Sequence, residues 1–394
     1  MKSEPTQEAR PLRFFPLDYA SMLGFLAYSS TMTATPICLV AISRELSLSL
    51  SQAGALEAAR GVLIIATLLV SGFIGAKFGK ARALGWSSLV LGGGMVCYSF
   101  APTYGALLMA LALMGLGGGV VEALINPLVQ ELHPRDSGRY LNLINAFWSI
   151  GILITVLVTG DLLSRDVSWR TIMGGLGGLS FVSGFSFLLL RRAGPIRERQ
   201  SMGDVFKEKR LILGSSRFWL FAWMMFLVGA SEGAFTYWSA SLIQLQHGGQ
   251  PRAAGIGVAL FATGMLLARL LYGWIVPQSR LWSLLFGSAV FGTGISVAMP
   301  LLSSLGQVYA GLFLAGVAVA CFWPSLQAYA VDRLGFQPTG VFILLSCGGV
   351  LGFAFVPWAM GAVGDRFGLV SSFWMVPVFF VALAVSLSVE RKGV

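Results

Sequence analysis

The sequence predicts an all-α integral membrane protein with twelve transmembrane helices in two pseudo-symmetric six-helix bundles. Three observations predict it. Of 394 residues, 56% are hydrophobic and only 11% charged, with a mean hydropathy of +0.77, whereas soluble domains carry about 25% charged residues. The apolar residues fall into runs long enough to cross a hydrocarbon core of about 30 Å at about 1.5 Å of rise per residue. Short motifs of the first half recur in the second.

Taken in order, the first run, Leu17 to Ile42, is too long for the core of a secretory leader and has no small-residue cleavage pattern after it, so it reads as span 1. Further runs lie at 52–76, 83–101, 104–131, 139–163 and 170–190, then at 218–245, 252–276, 281–300, 305–331, 338–362 and 369–389. The expected division is a segment 1–17, a first bundle 18–190, a linker 191–216, a second bundle 217–390 and a tail 391–394. Within the linker, Ser201 to Leu213 reads either as an amphipathic helix lying on an anionic leaflet or as a solvated connector.

The net charge of +10 would suit a nucleic-acid binder. The placement of the charges excludes that, because they sit in short gaps between apolar runs. With the N-terminus in the cytoplasm, 20 Lys and Arg fall on the cytoplasmic side and 5 outside, and Arg60 and Arg269 lie within spans. Loop cations of that bias place both termini in the cytoplasm, here of a bacterial inner membrane. Cys38, Cys97, Cys321 and Cys347 all lie in apolar stretches, so no disulfide is expected, and His133 and His247 have no metal-ligand partners at useful spacing. No Walker-type glycine loop occurs, so no nucleotide cofactor, and no cofactor of any kind, is expected.

The halves repeat in parallel. Asn126-Pro127-Leu-Val-Gln130 matches Trp323-Pro324-Ser-Leu-Gln327 at an offset of 197, Gly72 matches Gly273 at 201, and Gly160-Asp161 matches Gly364-Asp365 at 204. Six plus six spans so related place a solute site between the halves near the midplane. The 49 glycines cluster inside spans, where they permit close helix approach.

An ionised side chain at mid-bilayer costs at least about 2.5–3.5 kcal/mol, so charges within spans need a reason. Glu122 in span 4 shares a helical face with Asn126, and Pro127 frees the Ala123 carbonyl, which together suit a polyhydroxylated ligand or a proton. A packing hydrogen bond to span 5 is the competing reading. Asn142, Asn145 and Ser149 share a face of span 5 beside Phe147 and Trp148, either to grip a sugar or to form a polar seam. Glu232 in span 7 lies on a face with Phe235 and Ser239, close to Trp238, that matches Tyr28, Thr31 and Thr35 of span 1. A carboxylate so deep is expected to face a cavity. In span 10, Trp323 and Gln327 form either an aromatic-plus-amide platform or packing. Arg269 is expected to gate or reach the inner surface, or else to pair with Glu122, and Asp365 is expected at a gate. Glu57 and Arg60, three residues apart, read as a local surface pair near the outer end of span 2.

The Glu-x-x-x-Asn-Pro of span 4 and the pattern from Leu141 to Gly151 in span 5 resemble the major facilitator superfamily, and within it the fucose:proton symporter branch. That resemblance implies a twelve-helix monosaccharide permease, with Glu122 as the protonatable group and Asn145 as a sugar-binding amide. Two positions depart from the pattern: Thr33 stands where the branch can carry a coupling aspartate, and Ala76 replaces the aspartate of the loop after span 2. The function expected is secondary transport of a small polar solute, a monosaccharide first, by a monomer surrounded by lipid, with proton symport resting on Glu122 and Glu232. An exporter of amphipathic organic compounds is the alternative within transport, and a non-transporting membrane sensor the alternative outside it. No span sets an acid, a base and a nucleophile at useful spacing, so an enzyme is not expected.

Overall fold

The computed structural model describes residues 13–133, 137–192, 210–276, 278–336 and 338–392. Within it the chain is helical throughout. The first six helices are α1 (Pro16–Leu46), α2 (Leu50–Phe78), α3 (Lys80–Ser99), α4 (Tyr104–Leu132), α5 (Ser137–Ser164) and α6 (Trp169–Leu190). The last six are α7 (Ser216–Gln246), α8 (Pro251–Ile275), α9 (Leu281–Ala298), α10 in two stretches (Leu305–Val319 and Phe322–Leu334), α11 (Pro338–Phe367) and α12 in two stretches (Leu369–Ser372 and Met375–Lys392). Eleven of the described helices are long and apolar enough to cross a membrane. The exception is α3, whose Ser87, Ser88 and Gly92 to Gly94 lower its hydropathy while letting α4 and α6 approach. Most of the expected linker helix lies outside the described residues; Arg210 to Leu213 are helical.

Local chemistry sets the helix ends. Ser49, Thr103, Ser168, Ser215 and Ser304 each accept a hydrogen bond from a first-turn amide of the helix they start. Prolines set the irregularities. Pro36, Pro127 and Pro357 lie inside helices, and Pro324 follows the break in α10. Each removes a donor and frees the carbonyl four residues earlier. A membrane helix tolerates that only where another donor or a wet cavity takes over.

Two bundles result. In the first, α3 packs on α4 and α6, α2 on α4, and α1 on α5 and α6; in the second, α8 packs on α10, α9 on α12, and α7 on α11 and α12. Their equivalence follows a single offset of 201. A methyl group at Gly115 would lie 2.6 Å from the Arg60 carbonyl, and Gly316 is pressed in the same way against the carbonyl of Phe261. Gly151 meets Ser29, and Gly352 meets Ala230. The offsets of 197 and 204 expected from the proline and Gly-Asp matches are therefore corrected: Asn126 is equivalent to Gln327, and Ser164, not Asp161, is equivalent to Asp365.

The start of α1 and the end of α12 share one face of the molecule, the terminal face. Contacts between the bundles concentrate at the opposite, far face, where α2 crosses α11 and α5 crosses α8. At the crossings, a methyl at Gly54 would lie 2.7 Å from the Trp358 Cα, and one at Gly160 would lie 2.8 Å from the Pro251 carbonyl. Toward the terminal face the bundles separate, and Gly72 of α2 has open space beside it.

Candidate functional site

The far face is sealed by side chains that cap backbone across the interface. The Asp365 carboxylate, at the end of α11, accepts from the Leu50 amide at 2.7 Å and from the Ser51 amide at 2.9 Å, at the first turn of α2. At the equivalent crossing the Ser164 hydroxyl accepts from the Arg252 amide at 2.8 Å, at the first turn of α8. The difference in chemistry has a cause. Leu50 corresponds to Pro251, which has no N–H, so the α8 end offers one donor fewer and a single oxygen suffices. Tyr237 donates to the Ala53 carbonyl, and Arg252 lies 3.8 Å from Asp161. Among the described residues, the hydrogen bonds and ion pairs joining the bundles are all of this set.

Between the seal and the terminal face lies the polar interior. Glu122 is exposed although Val121, Leu124 and Ile125 around it are buried. Its face of α4 is the inward one: Gly115 and Gly119 press on α2, and Gly118 admits the Tyr28 ring of α1, whereas Met109 and Leu116 face outward. Tyr28 lies within electrostatic reach of the carboxyl group. Solvent thus reaches Glu122 from the vestibule that opens at the terminal face. One turn further on, Asn126 accepts a hydrogen bond from the Asn145 amide at 2.8 Å, linking α4 to α5. Trp148, half-buried, meets Tyr28 edge-on with ring centroids 5.2 Å apart. Thr31 is buried and donates to the Tyr28 carbonyl at 2.7 Å, and Thr33 is buried and donates to the Ser29 carbonyl at 3.0 Å. Hydroxyls that return their proton to their own helix offer little to a solute. The structure thus brings Glu122, Asn126, Asn145, Tyr28 and Trp148 together, with Thr31 behind them.

The second bundle answers with different residues at equivalent places. Trp323 stands where the first bundle has Glu122, and Glu232 where it has Thr31. Glu232 is half-buried, one of its oxygens has no partner among the described residues, and Arg269 is its electrostatic neighbour. Arg269 donates from Nε to the Ala320 carbonyl at 3.1 Å, which is the carbonyl freed by Pro324. No ion pair joins Arg269 to Glu122 among the described residues, and the guanidinium is turned to the break in α10 rather than to the inner surface. Gln327 is buried and donates to the Ser346 hydroxyl at 2.9 Å.

Two expectations change. Glu57 and Arg60 are not a surface pair: both are 2% exposed, and Arg60 donates to Glu57 at 2.6 Å and to the Thr31 carbonyl at 3.2 Å. The glycines of α4 that cover this part of α2 are the signal that could have shown it. Trp238 is fully buried and donates to the Pro357 carbonyl at 3.0 Å, which places it in the seal and away from the vestibule. His133 lies 2.8 Å from the buried Asp18 and stacks on Tyr140, tying the start of α1 to the α4–α5 turn. The side chains of Asn142 and Ala76 lie outside the described residues. Groups of three or more metal-ligating side chains are absent among the described residues.

Comparison with known proteins follows the geometry. A sequence profile of the Major Facilitator Superfamily matches residues 20–250. The uncharacterized transporter y4wD of Sinorhizobium fredii (strain NBRC 101917 / NGR234) is 28% identical over 307 residues, covering 74% of this chain and 76% of its own. Among solved structures, a bacterial homolog of the human lysosomal transporter Spinster, inward-facing and occupied, superposes with a TM-score of 0.79 at 15% identity, over 95% of this chain and 96% of its own. A D-xylose-proton symporter superposes with a TM-score of 0.76 at 14% identity, over 94% of this chain and 96% of its own.

Proposed function

The chain belongs to the Major Facilitator Superfamily and is a membrane transporter, and on that premise we propose that it carries a small polar solute, a monosaccharide first, in symport with protons. One observation carries the reading: a solvent-reached carboxyl group, Glu122, sits mid-helix beside the Asn126–Asn145 amides and the Tyr28–Trp148 rings. Amides placed to bond hydroxyls, with an aromatic face for the apolar side of a ring, suit a sugar better than a lipophilic cation. The xylose symporter with the same fold supports this solute class.

In this reading both termini are cytoplasmic, the membrane is a bacterial inner membrane, and the vestibule opens inward. Glu122 binds a proton before the bundles close around the solute. Left ionised, it would enter a closing low-dielectric space without a countercharge, at a cost of about 2.5–3.5 kcal/mol or more. Proton and solute then cross together. With Thr33 in place of an aspartate in α1, the second protonatable group is Glu232, on the equivalent helix of the other bundle. Arg269 holds the break in α10, and Asp365 latches the outer seal; each acts on the rocking of the bundles and not on the solute.

The test is uptake of a radiolabelled monosaccharide panel into proteoliposomes with and without an inwardly directed proton gradient. Gradient-driven accumulation of at least one sugar, lost in Glu122→Gln while sugar exchange persists, is the expected result. No flux of any sugar, together with protection by lipophilic cations in thermal unfolding, would replace this reading with the exporter.

A further inference from the structure

We propose that a basic cavity on the terminal face, between the start of α3 and the end of α6, binds the phosphate of an anionic phospholipid. The cavity encloses about 240 Å³, and its walls carry Lys80, Arg82, Arg191 and Arg192. One acid, Glu131, lines it too, and it is already paired with Lys80. Three guanidinium groups therefore line one space, and among the described residues no carboxylate pairs with any of them. Guanidinium forks match phosphate oxygens two at a time. Lys80, Ala81 and Arg82 of the first turn of α3 line the same cavity, and first-turn amides, lacking helical acceptors, are donors of the right sign.

The source of the phosphate follows from what borders the cavity. Trp86 stands one turn after Arg82 on α3 and is 60% exposed, and Leu189 stands three residues before Arg192 on α6 and is 82% exposed. Phe185 continues that stripe. The charged cavity therefore runs directly into apolar surface that points away from the bundle core. A phospholipid uses both parts at once, with its headgroup among the arginines and its acyl chains along Trp86, Phe185 and Leu189. A free phosphate uses only the first. Arg191 and Arg192 follow directly on Leu190, the last residue of the apolar helix α6, and cations next to a membrane span gain most from anionic lipid.

The experiment places the full chain in phosphatidylcholine nanodiscs containing a minority of phosphatidylglycerol and counts the phosphatidylglycerol retained per protein by native mass spectrometry. Saturable retention is expected, weakened roughly tenfold or more in Arg191→Gln/Arg192→Gln, as the worth of two juxtamembrane cations requires. Arg191→Lys/Arg192→Lys should keep most of it, and Arg165→Gln/Arg366→Gln, on the far face, should change nothing. Both arginines are exposed, so the variants should elute and unfold as the parent does. Equal retention by parent and Gln variants, or displacement of phosphatidylglycerol by inorganic phosphate at millimolar concentration, overturns the proposal.

Discussion

Asn145 donates its side-chain amide to Asn126 at 2.8 Å, and the pair has a counterpart 201 positions later, where Gln327 bonds Ser346 at 2.9 Å. In both bundles a polar side chain of the fourth helix is tied to one of the fifth at the same depth. The direction of donation is reversed, because a serine hydroxyl in α11 replaces an amide. The first bundle therefore presents two amides to the vestibule side of this link and the second only one. Replacing Asn145 by Ala removes a hydrogen bond worth about 1 kcal/mol and leaves the Asn126 carbonyl seeking water. Solute KM should rise about tenfold with the unfolding temperature nearly unchanged, whereas Ser346→Ala should leave KM within about twofold. Uptake kinetics and thermal unfolding of the two variants decide this.

The far-face latch makes a different prediction. Asp365→Ala removes two backbone-capping bonds across the bundles. Because the carboxylate is exposed, solvent discounts their worth to about 1 kcal/mol together, a shift of roughly fivefold in the population of the sealed state. A cysteine introduced at Ser241, buried beside the seal, should react faster with a membrane-impermeant maleimide in the Asp365→Ala background. An unchanged labelling rate would mean that the α5–α8 crossing and the Tyr237–Ala53 bond hold the seal without Asp365.

The buried pair in α2 should behave as a unit. Arg60→Met strands the Glu57 carboxylate among apolar residues and should destabilise the protein by about 3–5 kcal/mol. Glu57→Gln/Arg60→Met, which removes both charges, should recover most of that loss. Thermal unfolding in detergent of the single and double variants measures the coupling.

Proton coupling can be read from the pH dependence of accumulation. In Glu122→Gln the group is neutral at every pH, so steady-state accumulation should no longer follow the imposed gradient, while counterflow should proceed at a pH-independent rate. Retention of gradient-driven accumulation would move the coupling role to Glu232, and Glu232→Gln then tests that alternative in the same vesicles.

The helices were legible in the sequence because each apolar run is set off by polar gaps, and the prolines and glycines within them are intelligible only in lipid. Register was harder. Pro127 and Pro324 look like a matched pair, yet the structure sets them one turn apart, since what the duplication preserved is the packing of Gly115 and Gly316 against their neighbours. The Glu57–Arg60 spacing is the same whether a helix face is wet or covered, so only the partner helix could decide it. Trp238 shares a stretch with Glu232, but six residues of helix carry it from the vestibule to the seal.

The latching oxygens of Asp365 and Ser164 are matched copies, whereas Glu122 and Glu232 each face a non-acid in the mirror position. On the proposed reading, the machinery that moves has stayed twinned while the machinery that selects has diverged. Cargo preference can drift by exchanging a few vestibule side chains without retuning the swing of the bundles, which makes this scaffold suited to being re-targeted from one solute to another.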